Sequence, residues 1–151
     1  MVPDQIERET TINAPVERVW ELITAPEHVG RWFADAGATI DLRPGGEMVL
    51  RWAEHGASHG RVVAVEPQTR FAFRWAPFTE PGGDEPVEGN STLVEFSLVP
   101  EGDGTRLRVV ETGFASLATS DEQRERNHAS NTGGWRSELD ELRDYAAKVA
   151  A

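Results

Sequence analysis

The sequence contains no cysteine, and this absence removes several classes of site at once. Disulfide bonds, thiolate catalysis and cysteine-based zinc or iron–sulfur centres all require thiols. Basic residues are also scarce, with 15 lysines and arginines against 26 acidic residues and a formal net charge of −11. Because nucleic-acid binding rests on basic side chains that neutralise phosphates, no nucleic-acid partner is expected. The same charge disfavours docking onto an anionic membrane surface.

Long hydrophobic runs are missing as well. No apolar run approaches the ~20 residues that a transmembrane helix needs, and Met1–Asp4 has no charged-then-apolar signal region. We therefore expect a cytoplasmic protein without a membrane partner. Its 151 residues are enough for a single domain, spanning 1–151, with a substantial core. Tyrosine is rare, with one against five tryptophans and six phenylalanines, which indicates broad apolar surfaces with few hydroxyl groups.

The hydrophobic pattern changes its period along the chain. Residues 5–13 alternate as a strand does, and residues 14–24 and 24–33 each combine a proline start with apolar residues at helical spacing. From residue 38 to residue 111 the period is two, which predicts about six further strands with short turns at 43–46, 55–58 and 101–104. The stretch 77–90 has three prolines, three glycines and four acidic residues. It is predicted to be a loop, and whether it is ordered or gates a cavity is left open.

The last 31 residues, 121–151, contain no proline and carry one apolar stripe at helical spacing. The stripe consists of His128, Asn131, Trp135, Leu139, Leu142 and Tyr145/Ala146. Its C-terminal half is suited to packing on a sheet, whereas its N-terminal half is polar and aromatic, as the wall of a cavity is. Short connections favour antiparallel neighbours, and only this helix is long enough to cover the sheet. The predicted class is therefore α+β.

Several stretches in the right order resemble a known family. They resemble stretches of the SRPBCC superfamily, which has START-like, helix-grip folds. The matching stretches are the opening strand and helix (11–20), the second helix (24–33), the strand at 60–67, the Glu111–Phe114 segment and Gly134-Trp135. Within it, the chain resembles the activator of heat-shock-protein-90 ATPase homologue-like family. The resemblance implies a START/Bet v-like curved sheet of about seven antiparallel strands. This sheet would wrap around the C-terminal helix and enclose an apolar cavity between the two.

Inward-facing aromatic residues are the first candidates for ligand contact. Trp32, Phe33, Trp75 and Trp135 are the strongest candidates, and packing in the core is the alternative for each. The full set of candidate ligand-binding residues is Trp32, Phe33, Trp52, Trp75, Phe96, Glu111, Phe114, His128, Asn131 and Trp135.

Glu111 shares its strand face with Leu107 and Val109, so its carboxylate is expected to point inward. Either the strand ends there and Glu111 reaches solvent or an arginine, or Glu111 anchors a polar ligand group or acts as a general base. His128 is either a surface or capping residue or an acid–base partner of Glu111. Gly133-Gly134 predicts close packing, a local helix break, or a bend that opens the cavity mouth.

Two functions follow from these residues, and a third is implied by the resemblance. The first is binding of a small hydrophobic or aromatic molecule as a carrier, sensor or sequestering module. The second is a cyclase- or dehydratase-type enzyme that uses Glu111 and His128, so whether the chain is an enzyme stays open. The third is a cochaperone-like interaction with a chaperone, which ranks last. No metal site or cofactor is expected, because no spacing typical of metal ligands occurs. A homodimer is left open.

Overall fold

The computed structural model describes residues 3–53, 56–75 and 91–150. The elements in chain order are β1 (Gln5–Ile12), α1 (Val16–Thr24), α2 (Pro26–Trp32), β2 (Ala38–Ile40), β3 (Glu47–Trp52), β4 (Gly56–Glu66), β5 (Arg70–Trp75), β6 (Thr92–Glu101), β7 (Gly104–Thr112), a short 3-10 turn (Phe114–Ser116) and α3 (Asp121–Ala150). The predicted α+β helix-grip architecture, with two short helices after the first strand, is confirmed.

All seven strands form one antiparallel sheet in the order β1-β7-β6-β5-β4-β3-β2. From β2 to β7 each strand pairs with the next one in sequence, as short hairpin connections require. The β6–β7 hairpin turns through Gly102 and Asp103, and Gly102 has a φ of 61°, a conformation that glycine adopts without steric cost. Helices α1 and α2 carry the chain from one edge strand, β1, to the other, β2.

The concave face of the sheet is apolar, and the helices cover it. Helix α3 packs against β1, α1 and α2. It buries Trp135, Leu139, Leu142 and Ala146, which confirms the predicted stripe. Leu142 is fully buried, and truncating such a leucine to alanine costs about 2–5 kcal/mol. Tertiary burial of this kind, more than local propensity, holds a helix in place.

The convex face carries charges that pair across neighbouring strands. The guanidinium of Arg108 on β7 lies 2.5 Å from the carboxylate of Glu7 on β1, and Arg70 on β5 lies 2.8 Å from Glu95 on β6. The hydrogen bond from Arg108 lowers the pKa of Glu7. The period of two therefore separates an apolar face from a charged, solvated face in each strand.

Two local predictions are wrong. The turn expected at 55–58 is shorter, because Gly56 and Ser58 already belong to β4 and pair with Trp52 and Leu50. Close packing or a helix break at Gly133-Gly134 is also wrong, since α3 runs through both residues and a Cβ atom on either would meet nothing within 4 Å. The predicted loop 77–90 lies outside the described residues. None of the helices in the described ranges is both long and apolar enough to cross a membrane.

Candidate functional site

Five aromatic residues, four from separate elements and one from the segment after α2, meet on the concave side of the sheet, and we call them the aromatic cluster. They are Phe33 after α2, Trp52 at the end of β3, Trp75 at the end of β5, Phe96 in β6 and Trp135 in α3. The strand residues point inward because they occupy the buried positions of the alternation. The sequence predicted all five as ligand-contact candidates, and the fold brings them together.

Phe33 lies at the centre of this cluster. Its ring stacks on Trp135 with the centroids 5.5 Å apart and the planes 14° apart. It also contacts Trp75 at 5.7 Å and meets Trp52 edge-on at 5.5 Å. Each such aromatic pair is worth about 0.5–1.5 kcal/mol beyond the burial of its area. The cluster is therefore cohesive in the absence of a guest.

Glu111 is fully buried beside the cluster and is surrounded by hydrogen-bond donors. Its carboxylate accepts hydrogen bonds from the indole N–H groups of Trp75 and Trp135, each at 2.8 Å. The hydroxyl of Thr92 donates at 2.5 Å, and the amide of Asn131 lies 3.0 and 3.1 Å from the two oxygens. Three elements (β5, β6 and α3) thus supply donors to the carboxylate that β7 carries.

These contacts decide between the interpretations of Glu111. Escape to solvent and pairing with an arginine are both wrong, because Glu111 is buried and all four partners are uncharged. Indole and amide N–H groups only donate, which matches the acceptor-only chemistry of a carboxylate. The protein itself therefore supplies the partners that a buried carboxylate needs. The roles of ligand anchor and general base stay predictions.

An apolar cavity adjoins the cluster. The volume open to the centre of a water-sized molecule is about 10 Å³, so the cavity has room for about one water. The lining residues are Ile23, Val29, Trp32, Phe33, Ile40, Met48, Leu50, Phe71, Phe73 and Phe96. All ten are apolar, and they come from α1, the α2 segment and strands β2, β3, β5 and β6.

This cavity is not the one that was predicted, and a cavity beside the C-terminal helix stays a prediction. The sequence and the resemblance placed a cavity between the sheet and the C-terminal helix, whereas no α3 residue lines this one. The physical reason is that Phe33 and Phe96 stand between this space and Trp135, since both rings contact the indole of Trp135. The two short helices therefore close this cavity.

The indoles of Trp32 and Trp52 are tied to backbone carbonyls. Trp32 donates to the carbonyl of Leu22 at 2.6 Å, and Trp52 donates to the carbonyl of Phe33 at 2.8 Å. A buried indole N–H needs an acceptor, so these bonds fix the two ring planes. The bond from Trp52 also fastens the end of β3 to the residue that follows α2.

His128 and Phe114 lie beside each other, with ring centroids 5.2 Å apart. The Nε2 of His128 is 3.0 Å from the carbonyl of Gln5 on β1. None of the hydrogen bonds of Glu111 goes to His128, although Asn131, one turn further along α3, does reach that carboxylate. No hydrogen bond between Glu111 and His128 is therefore present among the described residues, and the acid–base couple stays a prediction.

Sequence reasoning missed Glu138, which follows Trp135 by three residues on α3. Its Oε2 is buried and has no hydrogen-bond partner among the described residues. Burial, together with the negative charges of Glu141 and Asp35, raises the pKa of Glu138 to about 7. The only signal in the sequence was its helical spacing from Trp135, which also describes many solvated residues.

Comparison with solved structures shows the fold in other proteins. Protein MLL2253 from Mesorhizobium loti is similar with a TM-score of 0.77 and 23% identity, over 95% of this chain and 97% of that chain. CalU16 from Micromonospora echinospora is similar with a TM-score of 0.69 and 28% identity, over 94% and 75% of the two chains. DynU16, a protein in the dynemicin biosynthetic locus, matches with a TM-score of 0.74 and 22% identity, over 95% and 47%.

No match was found among curated proteins. A family model, by contrast, matches residues 13–147, which include both short helices, the strands from β2 to β7 and most of α3. The match thus covers every element that contributes a ring to the aromatic cluster, together with Glu111. The chain belongs to the family of Activator of Hsp90 ATPase homolog 1-like proteins.

Proposed function

We propose that this protein binds a small hydrophobic or aromatic molecule in the apolar cavity between the sheet and helices α1 and α2. The observation that carries the proposal is the lining itself, in which ten residues from six segments present only apolar side chains. Ligand sites are typically concave and mostly apolar, with few polar groups that orient the guest. Here the candidate for such a group is Glu111, to which Trp75 and Trp135 of the adjoining aromatic cluster donate hydrogen bonds.

A guest must displace side chains to enter, because the cavity now has room for about one water. The rings that line it make favourable contacts with one another, and an aromatic guest replaces ring–ring contacts with contacts of the same kind. The net cost of opening is therefore small for an aromatic guest. For a polar guest the cost is larger, because the lining offers no hydrogen-bond partner.

The test uses the neutral fluorophore N-phenyl-1-naphthylamine. We expect saturable binding at one molecule per chain, with energy transfer from tryptophan and a roughly micromolar Kd, as the size of the probe suggests. Ile40→Phe adds bulk to the cavity lining and should weaken binding about tenfold or more, whereas Leu42→Phe adds the same ring type at an exposed position and should not. Equal binding by both variants would contradict the proposal, as would non-saturable fluorescence.

The enzyme alternative requires Glu111 and His128 to act on one substrate. The donors around Glu111 occupy its carboxylate, and His128 contacts the Gln5 carbonyl instead. Binding without proton transfer by this pair is therefore the better supported function. A chaperone partner is the remaining alternative, and the name of the family motivates it. A pull-down against purified chaperone tests it, and a lack of enrichment would remove it.

A further inference from the structure

The rings of the aromatic cluster are not held equally. Trp75 and Trp135 each donate a hydrogen bond to the buried Glu111 carboxylate at 2.8 Å, and Trp52 donates to a backbone carbonyl. Hydrogen bonds to a carboxylate are stronger than those to a neutral acceptor, so displacing Trp75 or Trp135 is costly. Phe33 has no polar atom in its side chain, and only packing holds its ring.

Phe33 also occupies a dividing position. One side of its ring lines the apolar cavity, and the same ring contacts Trp75 at 5.7 Å and Trp135 at 5.5 Å. It lies at the C-terminal end of α2, outside the strands, and its backbone carbonyl accepts the hydrogen bond from Trp52. Rotation of the Phe33 side chain leaves that backbone bond intact, and Phe33, unlike Phe96 between β5 and β7, lies outside the strand pairing.

We infer that Phe33 is a specificity-determining residue of this site, because its ring separates the apolar cavity from Trp75 and Trp135. Glu111 is a positioning residue that holds the indoles of Trp75 and Trp135 in place. A compact aromatic guest displaces other side chains of the lining and binds with Phe33 in place. A guest of several fused rings binds only when Phe33 moves aside and the guest stacks on the two indoles that Glu111 holds. The inference rests on the proposed function and names the guest class, fused-ring aromatics, that the enlarged site selects.

The first experiment compares two probes of different size, 2-naphthol with two rings and 1-hydroxypyrene with four. The measured quantity is the ratio of their dissociation constants in the full chain, from tryptophan energy transfer. Phe33→Ala should change this ratio in favour of 1-hydroxypyrene binding by about tenfold or more, because removing the ring joins the cavity to the space beside Trp75 and Trp135. Phe33→Leu should shift it in the same direction by less, and this milder variant serves if Phe33→Ala does not fold.

Leu142→Ala is the control, because it also removes a fully buried apolar side chain but lies outside the cavity lining. The ratio of the two dissociation constants in Leu142→Ala should equal that of the unmodified protein. An unchanged ratio in both Phe33 variants, with binding retained, overturns this role of Phe33 while leaving the proposed function standing. Absence of saturable binding of either probe to every form overturns both.

The second experiment tests the role of Glu111 by its effect on the indoles. In a ¹⁵N–¹H spectrum, Glu111→Gln should move the Nε1–H signals of Trp75 and Trp135 upfield, because the charged acceptor is lost, and should leave that of Trp32 in place. Phe33→Ala combined with Glu111→Gln should lose most of the increase in affinity for 1-hydroxypyrene that Phe33→Ala alone produces. Unmoved indole signals, or a gain that persists in full, would overturn the positioning role.

Discussion

At the scale of single residues, the tryptophans contribute their N–H groups as well as their rings. Trp32, Trp52, Trp75 and Trp135 all find an acceptor, two on backbone carbonyls and two on Glu111. Because an unpaired buried donor is costly, each acceptor selects one orientation of its ring. The buried carboxylate therefore helps to define the shape of an otherwise apolar site.

We expect Glu111→Gln to lower the free energy of unfolding by about 2–3 kcal/mol, since a carboxamide keeps one acceptor oxygen but turns an NH₂ group toward donors. Chemical denaturation followed by circular dichroism measures this loss. Glu101→Gln makes the same chemical change in an exposed ion pair with Arg106 and should cost much less. Equal losses would mean that the four donors contribute little.

Glu138 should make stability depend on pH. Its pKa is raised from the ordinary value of 4.5 to about 7, so the folded protein binds more protons than the unfolded chain between these values. The contribution of Glu138 to stability is therefore fully present below about pH 4.5 and is lost as pH rises through about 7. Glu138→Gln should flatten this fall, as measured by denaturation at several pH values. Asp144→Asn, which changes an exposed acid on the same helix, should leave the fall intact.

At the scale of elements, α3 combines two tasks. Its C-terminal half supplies the core residues Leu139, Leu142 and Ala146, and its N-terminal half brings Asn131 and Trp135 to Glu111. Gly133 and Gly134 lie between Asn131 and Trp135, on the exposed face of the helix. A Cβ atom at either position would meet no other atom within 4 Å, so neither position needs glycine for close packing.

Replacing Gly133 and Gly134 with alanine should therefore stabilise the protein by about 1 kcal/mol per site, because alanine is the better helix former. Thermal denaturation measures the gain, and Ser130→Ala, at an exposed position one turn earlier, should give a smaller one. The same variants test whether a bend at the glycines opens the cavity mouth. Weaker binding of N-phenyl-1-naphthylamine despite higher stability would favour the bend, and unchanged binding would contradict it.

At the scale of the whole molecule, one hydrophobic cluster joins the sheet and the three helices. It contains Ile6 from β1, Val19 from α1, Val29 from α2 and Leu142 from α3, as well as residues of the central strands. Because no element has a separate core, the described residues should unfold together.

We therefore expect the unfolding curves from tryptophan fluorescence and from far-ultraviolet circular dichroism to coincide in urea. The fluorescence reports mainly on the aromatic cluster, whereas the circular dichroism reports on the sheet and helices. An earlier fluorescence transition would show that the cluster loosens before the sheet does, contrary to the expectation of a single domain over 1–151.

The sequence by itself determined the elements and the faces of this protein. Alternation places Phe73 and Phe96 inward, and helical spacing places Trp135 and Leu142 on one stripe, because side-chain direction follows from backbone period alone. The same rule indicated that Glu111 points inward. Order and connection length were enough for an antiparallel sheet covered by a long helix.

Only the tertiary structure decided which residues meet. The four donors to Glu111 lie 19 to 36 residues away from it along the chain, and no local pattern pairs residues at such separations. The same holds for the cavity, which lies under α1 and α2 because Phe33 packs against Trp135 and closes the space toward α3. Periodicity describes the direction of a side chain within its own element. The partner that it meets depends on how separate elements pack, and that packing is a property of the whole fold.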